Sequence, residues 1–334
     1  MLIQLDKTMS LSLDDIKQPI DSHLRQFEKH FWQSMRNQRI PLLNTVLRYV
    51  FHTKGKQIRP MFVFLAAKLQ SDVTDATYRG ASLVELLHTA TLIHDDVVDD
   101  SYERRGFFSV SALWKNKIAV LLGDYLLSKG LLLAVDNGDF KLLQIVSRAV
   151  KEMSEGELLQ IERTRRLNLD EEIYYEIIRQ KTASLIASSC AVGYASANPG
   201  DTQGEQLAWN MGEKIGIAFQ IKDDLFDFGN ENIGKPKGND IQEKKVTLPL
   251  IYAINNANSS DKKRIIYLIK NHRKDRKKIE EVINFVWKSG GIEYAKQAMY
   301  RYRDEAIALL RQFPDSVARQ SLEKLIIFTT ERNK

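Results

Sequence analysis

The sequence predicts an all-α protein, a single domain built as a bundle of long helices, and three observations predict it. Along most of the 334 residues, apolar side chains recur at three- and four-residue spacing, the period of a helix face. The alternation expected of half-buried strands is scarce. Glycine and proline, which interrupt helices, number only 17 and 7. The 43% apolar and 28% charged content is that of a soluble globular chain. Nothing in the chain argues for a sheet.

The elements follow from the breaks. The opening residues, MLIQLDKTMSLSLDD, hold no basic segment followed by an apolar one, so no signal peptide is expected. Met9 reads as the natural start and residues 1–10 as a disordered or non-native beginning, because SLSLDD resembles a helix cap. Breaks are expected at Lys54-Gly55, Asn137-Gly138, Asn198-Pro199-Gly200, 228–240 and Ser289-Gly290-Gly291. Between them lie helical segments of roughly 12–25 residues, long enough for a bundle. Residues 76–100 form one, with Gly80 near its start and no proline, and residues 204–228 form another. The most apolar stretch, 118–135, is interrupted by Asp124 and Lys129 and predicts a buried helix rather than a membrane span. With no low-complexity linker and no repeat of fixed period, residues 1–334 read as one domain.

A net charge of +6 raises the question of nucleic acid or anionic lipid. Lysines cluster most in 261–280 with few aromatics among them, the pattern of a solvated helix and connection. No nucleic-acid partner is expected, and at most peripheral contact with a membrane. The single cysteine, Cys190, has no partner in the chain for a disulfide, which points to a reducing, cytoplasmic location.

Residues 94–106 read HDDVVDDSYERRG, with Asp95, Asp96, Asp99 and Asp100 inside six positions. At about 100° and 1.5 Å per residue, Asp95 and Asp99 lie on one helix face, one turn apart. Asp223 and Asp227 repeat the relation in DDLFD. An isolated D-D-x-x-D is more often a solvated helix end. Here it occurs twice, each time at the C-terminal end of an apolar helix, where the macrodipole disfavours carboxylates. Something cationic must offset that cost. Magnesium suits oxygen donors and usually completes its shell with water and phosphate, so two such helices facing across a bundle would build a metal site. Basic residues supply the other half: Lys56 and Arg59 in GKQIRP, Arg104-Arg105, Lys181, Lys235 and Lys245. Guanidinium and ammonium groups are the usual partners of phosphate oxygens. Together with an apolar interior, these groups fit a diphosphate ester with an apolar tail. No Ser-His-Asp or Cys-His grouping suggests covalent catalysis.

These residues make the chain resemble a trans-isoprenyl diphosphate synthase of the polyprenyl synthetase family, over about residues 40–330. The motifs stand in family order: GKxxRP at 55–60, DDxxDxxxxRRG at 95–106, EGELLQ at 155–160, KT at 181–182, FQxxDDxxD at 219–227, a GKxxGxD loop at 234–240 and TLP at 247–249. The resemblance implies an all-α bundle around a deep central cavity, the isoprenoid synthase type, usually as a homodimer. It implies head-to-tail condensation of isopentenyl diphosphate with an allylic diphosphate such as geranyl or farnesyl diphosphate, through ionisation, condensation and proton elimination. By the same resemblance Asp95, Asp99 and Asp223 ligate Mg²⁺, three ions with diphosphate bound, and Asp96, Asp224 and Asp227 support them. Lys56, Arg59, His88 and Arg105 hold isopentenyl diphosphate, while Arg104, Lys181, Thr182, Gln220, Lys235 and Lys245 grip the allylic diphosphate. Two departures stand out. Lys54 replaces a glycine often found before GKxxRP, and QEKKVTLPL lacks the glycine often found before its second lysine.

His88 lies roughly 20° from Asp95 around the helix and is expected to contact ligand, whereas His94 is expected to be structural. Thr91, His88, Leu87 and Val84 lie within roughly 80° of the Asp95 face. Short-chain members of the family tend to carry bulky aromatics at the fourth or fifth position before the first aspartate; Thr91 and Ala90 stand there, both small. The tail is expected to pass one or two turns lower, to Leu87 and Val84, with Leu131 as part of a floor, giving a product of roughly six to eight isoprene units. The alternatives are a short-chain farnesyl or geranylgeranyl diphosphate synthase and a non-catalytic subunit of a heteromeric prenyltransferase. A terpene cyclase would not need GKxxRP, and a non-catalytic subunit is expected to have lost aspartates that are all present.

Overall fold

Long segments with the apolar period of a helix and no internal proline do become helices. A computed structural model describes residues 12–35, 39–52, 57–104, 107–167, 169–229 and 238–332, without the side chains of Ser34, His52, Arg104, Arg165 and Arg166. Its longest helices are Asp75–Val98, Val110–Asp136 with a kink at Lys115 (φ 68°), Phe140–Arg166, Thr202–Phe226 and Gly291–Leu310. Three breaks fall where the sequence places them: helices end at Asp136, Ala197 and Lys288, followed by Gly138, Gly200 and Gly290 at φ of 70°, 92° and 78°. One expectation is corrected. Residues 103–104 and 107–108 pair antiparallel, Glu103 opposite Phe108 and Arg104 opposite Phe107. Strands of two residues are too short to show an alternation, so no sequence period could reveal them.

The chain divides into two compact units, each assembled from separated segments. The first comprises Met1–Leu143, Ser189–Glu205 and Arg311–Phe328; the second comprises Gln144–Ser188, Gln206–Leu310 and Thr329–Lys334.

In the first unit, helix Ile58–Ala67 is buried from Pro60 onward. Phe27, Phe31, Phe64 and Tyr78 pack ring against ring beside it. Helix Asp75–Val98, the first aspartate helix, starts at a reciprocal cap. The Thr74 hydroxyl accepts from the Thr77 N–H at 3.3 Å, and the Thr77 hydroxyl accepts from the Thr74 N–H at 3.1 Å. This helix packs along Val110–Asp136. A Cβ at Gly123 would overlap the His94 ring, so glycine is what lets that ring lie against the neighbouring helix. There His94 Nε2 stands 3.3 Å from the Val120 carbonyl oxygen and 3.4 Å from Asp124 Oδ1, the packing role expected of it.

Helix Val110–Asp136 is not the buried helix its sequence predicts. Only 33% of its most apolar window is buried; Leu121 and Leu132 are each 56% exposed, and Val135 47%. By length and composition alone it is apolar enough to cross a membrane. Asp124 and Lys129 show that the apolar stripe is broken; they do not reveal what covers it.

In the second unit, Tyr174, Phe228, Ile251, Leu268, Val286 and Met299 belong to one apolar core. Helix Thr202–Phe226, the second aspartate helix, contributes Ile217, Ala218, Ile221 and Leu225 to it. The lysine-rich 261–280 segment does form solvated helix faces. Ser259–Asn271 buries only Ile265, Leu268 and Ile269, and Arg276–Lys288 follows it.

Candidate active site

The first acidic cluster is shaped by how its helix ends. The Asp99 N–H donates to the Asp95 carbonyl at 2.8 Å, and the Ser101 N–H to the Asp96 carbonyl at 3.0 Å. Asp100 takes the left-handed conformation, φ 48°, between them. This is a Schellman stop with aspartate where glycine is usual; Asp tolerates it better than most residues. Asp95 is half-buried, Asp96 buried and Asp99 exposed, so Asp95 and Asp99 stand one turn apart on the accessible side. Deeper in the same helix, His88, Leu87, Ala90 and Val84 are buried and Thr91 is half-buried. Arg59 Nη1 lies 3.6 Å from Glu85 Oε1. Lys56 and Arg105 lie outside the described residues, as does Lys235 in the second unit; Arg104 is placed on its strand without its side chain.

The second cluster divides its three aspartates among three tasks. Asp223 is paired with Arg332, whose guanidinium lies 4.2 Å from the Phe219 ring centroid and 5.7 Å from that of Phe226. Asp224 is buried. It accepts from the Tyr174 hydroxyl at 2.7 Å and from Gln220 Nε2 at 2.8 Å. Burial, then the charge of Asp240, push the Asp224 carboxyl well above the usual carboxylate range, against the pull of those two donors. Asp227 accepts from the N–H groups of Asn239 at 2.8 Å and Asp240 at 3.2 Å. Those two bonds favour its charged form, yet burial and the nearby Asp240 outweigh them and raise its pKa to about 7. Asp227 therefore clamps the chain just after the 230–237 segment that carries Lys235.

Lys181 sits on a turn of π-helix, Arg179–Ala183, a distortion common at functional sites. Its ammonium is paired with Glu157 and lies 3.3 Å from Gln160 Oε1, which gives EGELLQ a task the sequence left unassigned. Gly156, in the same motif, admits the turn: a Cβ there would stand 2.8 Å from both Gln180 Cβ and the Lys181 backbone nitrogen. Gly156→Ala should cost about 1–3 kcal/mol by overpacking, seen as a lower Tm. It should also displace Lys181; a variant with wild-type Tm and kinetics would show that the turn needs no glycine. Thr182 Oγ1 donates to Gln220 Oε1 at 2.8 Å, so both side chains are engaged with each other. Lys245 pairs with Glu243 at 2.5 Å.

The donor set fits magnesium in kind, since every candidate ligand is a carboxylate oxygen. Among the described residues no three His, Cys, Asp or Glu side chains gather as a preformed metal site. Magnesium usually draws several of its ligands from water and phosphate rather than from a preformed protein cage. Sequence reasoning missed Tyr174 and Arg332. Neither lies in a recognisable motif, and no spacing links either to the aspartate it contacts.

The polyprenyl synthetase profile matches residues 40–286. The chain belongs to that family. It is 34% identical over 302 residues to the octaprenyl diphosphate synthase of Escherichia coli K12, covering 89% of this chain and 92% of that one. Against the heptaprenyl diphosphate synthase component 2 of Geobacillus stearothermophilus, identity is 32% over 316 residues, covering 94% and 97%. A crystal structure of a polyprenyl synthase from Caulobacter crescentus CB15, complexed with calcium and isoprenyl diphosphate, superposes with a TM-score of 0.89 at 31% identity, covering 99% and 100%. This family member is a prenyltransferase with the all-α isoprenoid synthase fold.

Proposed function

We propose that the protein condenses isopentenyl diphosphate head-to-tail with an allylic diphosphate to make a long-chain all-trans polyprenyl diphosphate. The observation that carries this reading is the pair of acidic helix ends, in a chain with Lys181 set on a π-turn by Glu157 and Gln160. Asp95, Asp99 and Asp223 would hold Mg²⁺, which supplies Lewis-acid stabilisation of the departing diphosphate. Calcium in the Caulobacter relative supports a divalent cation in this role. Lys181, held by Glu157, is a preorganised cation for the allylic diphosphate, and Arg104 would share that role. Lys56, Arg59 and Arg105 hold isopentenyl diphosphate, whose double bond attacks the allylic carbocation, and the proton passes to the released diphosphate. No dedicated protein base is required. The test is incorporation of labelled isopentenyl diphosphate with geranyl or farnesyl diphosphate and Mg²⁺, and chromatography of the dephosphorylated product. No incorporation with either starter would overturn the reading.

We propose further that the protein works as a homodimer in the cytoplasm, with residues 1–334 acting as one catalytic domain. The exposed apolar face of helix Val110–Asp136, through Leu121, Leu132 and Val135, supports a protein partner. Leu121→Glu with Leu132→Glu should convert the dimer to monomer in light scattering. A wild type that is monomeric and inactive until a second protein is added would favour the heteromeric arrangement that the name of the Geobacillus component suggests.

A further inference from the structure

Three hydrogen bonds join in one line from the core of the second unit to the turn that carries Lys181. The Tyr174 hydroxyl donates to Asp224 Oδ2 at 2.7 Å, Gln220 Nε2 donates to Asp224 Oδ1 at 2.8 Å, and Thr182 Oγ1 donates to Gln220 Oε1 at 2.8 Å. We infer that Tyr174 is a positioning residue for the reaction: acting through Asp224, Gln220 and Thr182, it fixes the Arg179–Ala183 turn and so the place of Lys181.

Gln220 turns its amide nitrogen to Asp224 and its carbonyl oxygen to Thr182, so its two ends serve two different partners. The Thr182 hydroxyl must then spend its proton on Gln220. It meets any other group as an acceptor, which leaves donation to a diphosphate to Lys181. Thr182 and Gln220, expected to grip the allylic diphosphate, are here engaged with each other. A π-turn lacks the regular bonding of an α-helix, so a side-chain tie at Thr182 has an unusual share in setting its shape. Asp224 is buried, and a buried carboxylate keeps its geometry only while its donors are in place. Tyr174, itself 5% exposed and seated in the apolar core, is the donor that cannot wander. Removing its hydroxyl leaves Asp224 free to turn toward other donors and lets Gln220 reverse.

The inference rests on the proposed prenyltransferase reading, and its test separates the two. Tyr174→Phe keeps the ring and removes only the hydroxyl. It should raise the KM for the allylic diphosphate about tenfold, the usual effect of losing one hydrogen bond to a charged group, while the KM for isopentenyl diphosphate stays within about twofold. Binding of inorganic diphosphate with Mg²⁺, followed by calorimetry, should weaken by a similar factor. In a double-mutant cycle with Thr182→Val, the Tyr174→Phe effect should largely vanish, because Thr182 lies downstream of it. Tyr194→Phe is the control. Its hydroxyl contacts Gln70 and Asp201 in the first unit, and its loss should lower Tm without moving either KM. A Tyr174→Phe enzyme that loses Tm alone, or whose defect is undiminished in the Thr182→Val background, overturns the inference. A wild type that incorporates no isopentenyl diphosphate overturns the underlying reading instead.

Discussion

Asp95→Ala and Asp223→Ala should each lower turnover at least about a thousandfold, roughly 4 kcal/mol of transition-state stabilisation, as expected for losing a ligand to a Lewis-acidic cation. The two should part company in stability. Asp95 sits where four carboxylates crowd a helix C-terminus, so its removal also relieves repulsion and should cost less Tm than removal of Asp223. Asp223 holds Arg332, whose side chain is only 13% exposed. Asp223→Ala strands that guanidinium against Phe219 and Phe226 and should lower Tm. Arg332→Ala in the Asp223→Ala background should recover part of the loss. Steady-state kinetics and thermal denaturation decide both points, and near-normal turnover in either aspartate variant would refute the metal assignment.

The aspartates, the π-turn lysine and the helix breaks were legible because each leaves a short-range mark. D-D-x-x-D has helical spacing, Asn-Gly and Asn-Pro-Gly mark turns, and the apolar period of 76–98 carries no proline and only Gly80 near its start. Contacts made by distant parts of the chain leave no such mark. Arg332 meets Asp223 across 109 positions and Tyr174 meets Asp224 across 50, and an arginine or tyrosine alone is an ordinary surface or core residue. Asp227, expected to support the metal ligands, has its carboxylate held by two backbone N–H groups, a contact that its spacing from Asp223 does not reveal. The exposed face of Val110–Asp136 was misread because hydropathy reports that a helix must be covered and not by what.

Thr91→Phe should shorten the product toward farnesyl or geranylgeranyl diphosphate, with little loss of Tm. Thr91 lies one turn below Asp95 on the same face and is half-buried rather than packed in the core, so a phenyl ring there would project along the path proposed for the tail. Ala90→Tyr should shorten the product as well, but Ala90 is 2% exposed and a phenol there overpacks the core, at a cost of about 1–3 kcal/mol. Below them Leu87 and Val84 are buried, and Leu87 Cδ2 lies 3.7 Å from where a Cβ on Gly130 would stand. Leu87→Ala removes bulk at that level and should lengthen the product, while costing about 2–5 kcal/mol for the cavity it leaves. Leu131 no longer belongs with these residues as a floor within its own chain. It is 38% exposed, and Gly130 is the position of that helix that meets Leu83 and Leu87. Leu131→Ala should therefore leave product length unchanged in a monomer, and any change it causes should disappear with the Leu121→Glu, Leu132→Glu pair. Chromatography of dephosphorylated products under excess isopentenyl diphosphate reads all four variants. A wild type that stops at farnesyl diphosphate, or a Thr91→Phe enzyme that still reaches wild-type length, would show that the small residues at 90 and 91 do not set the gate.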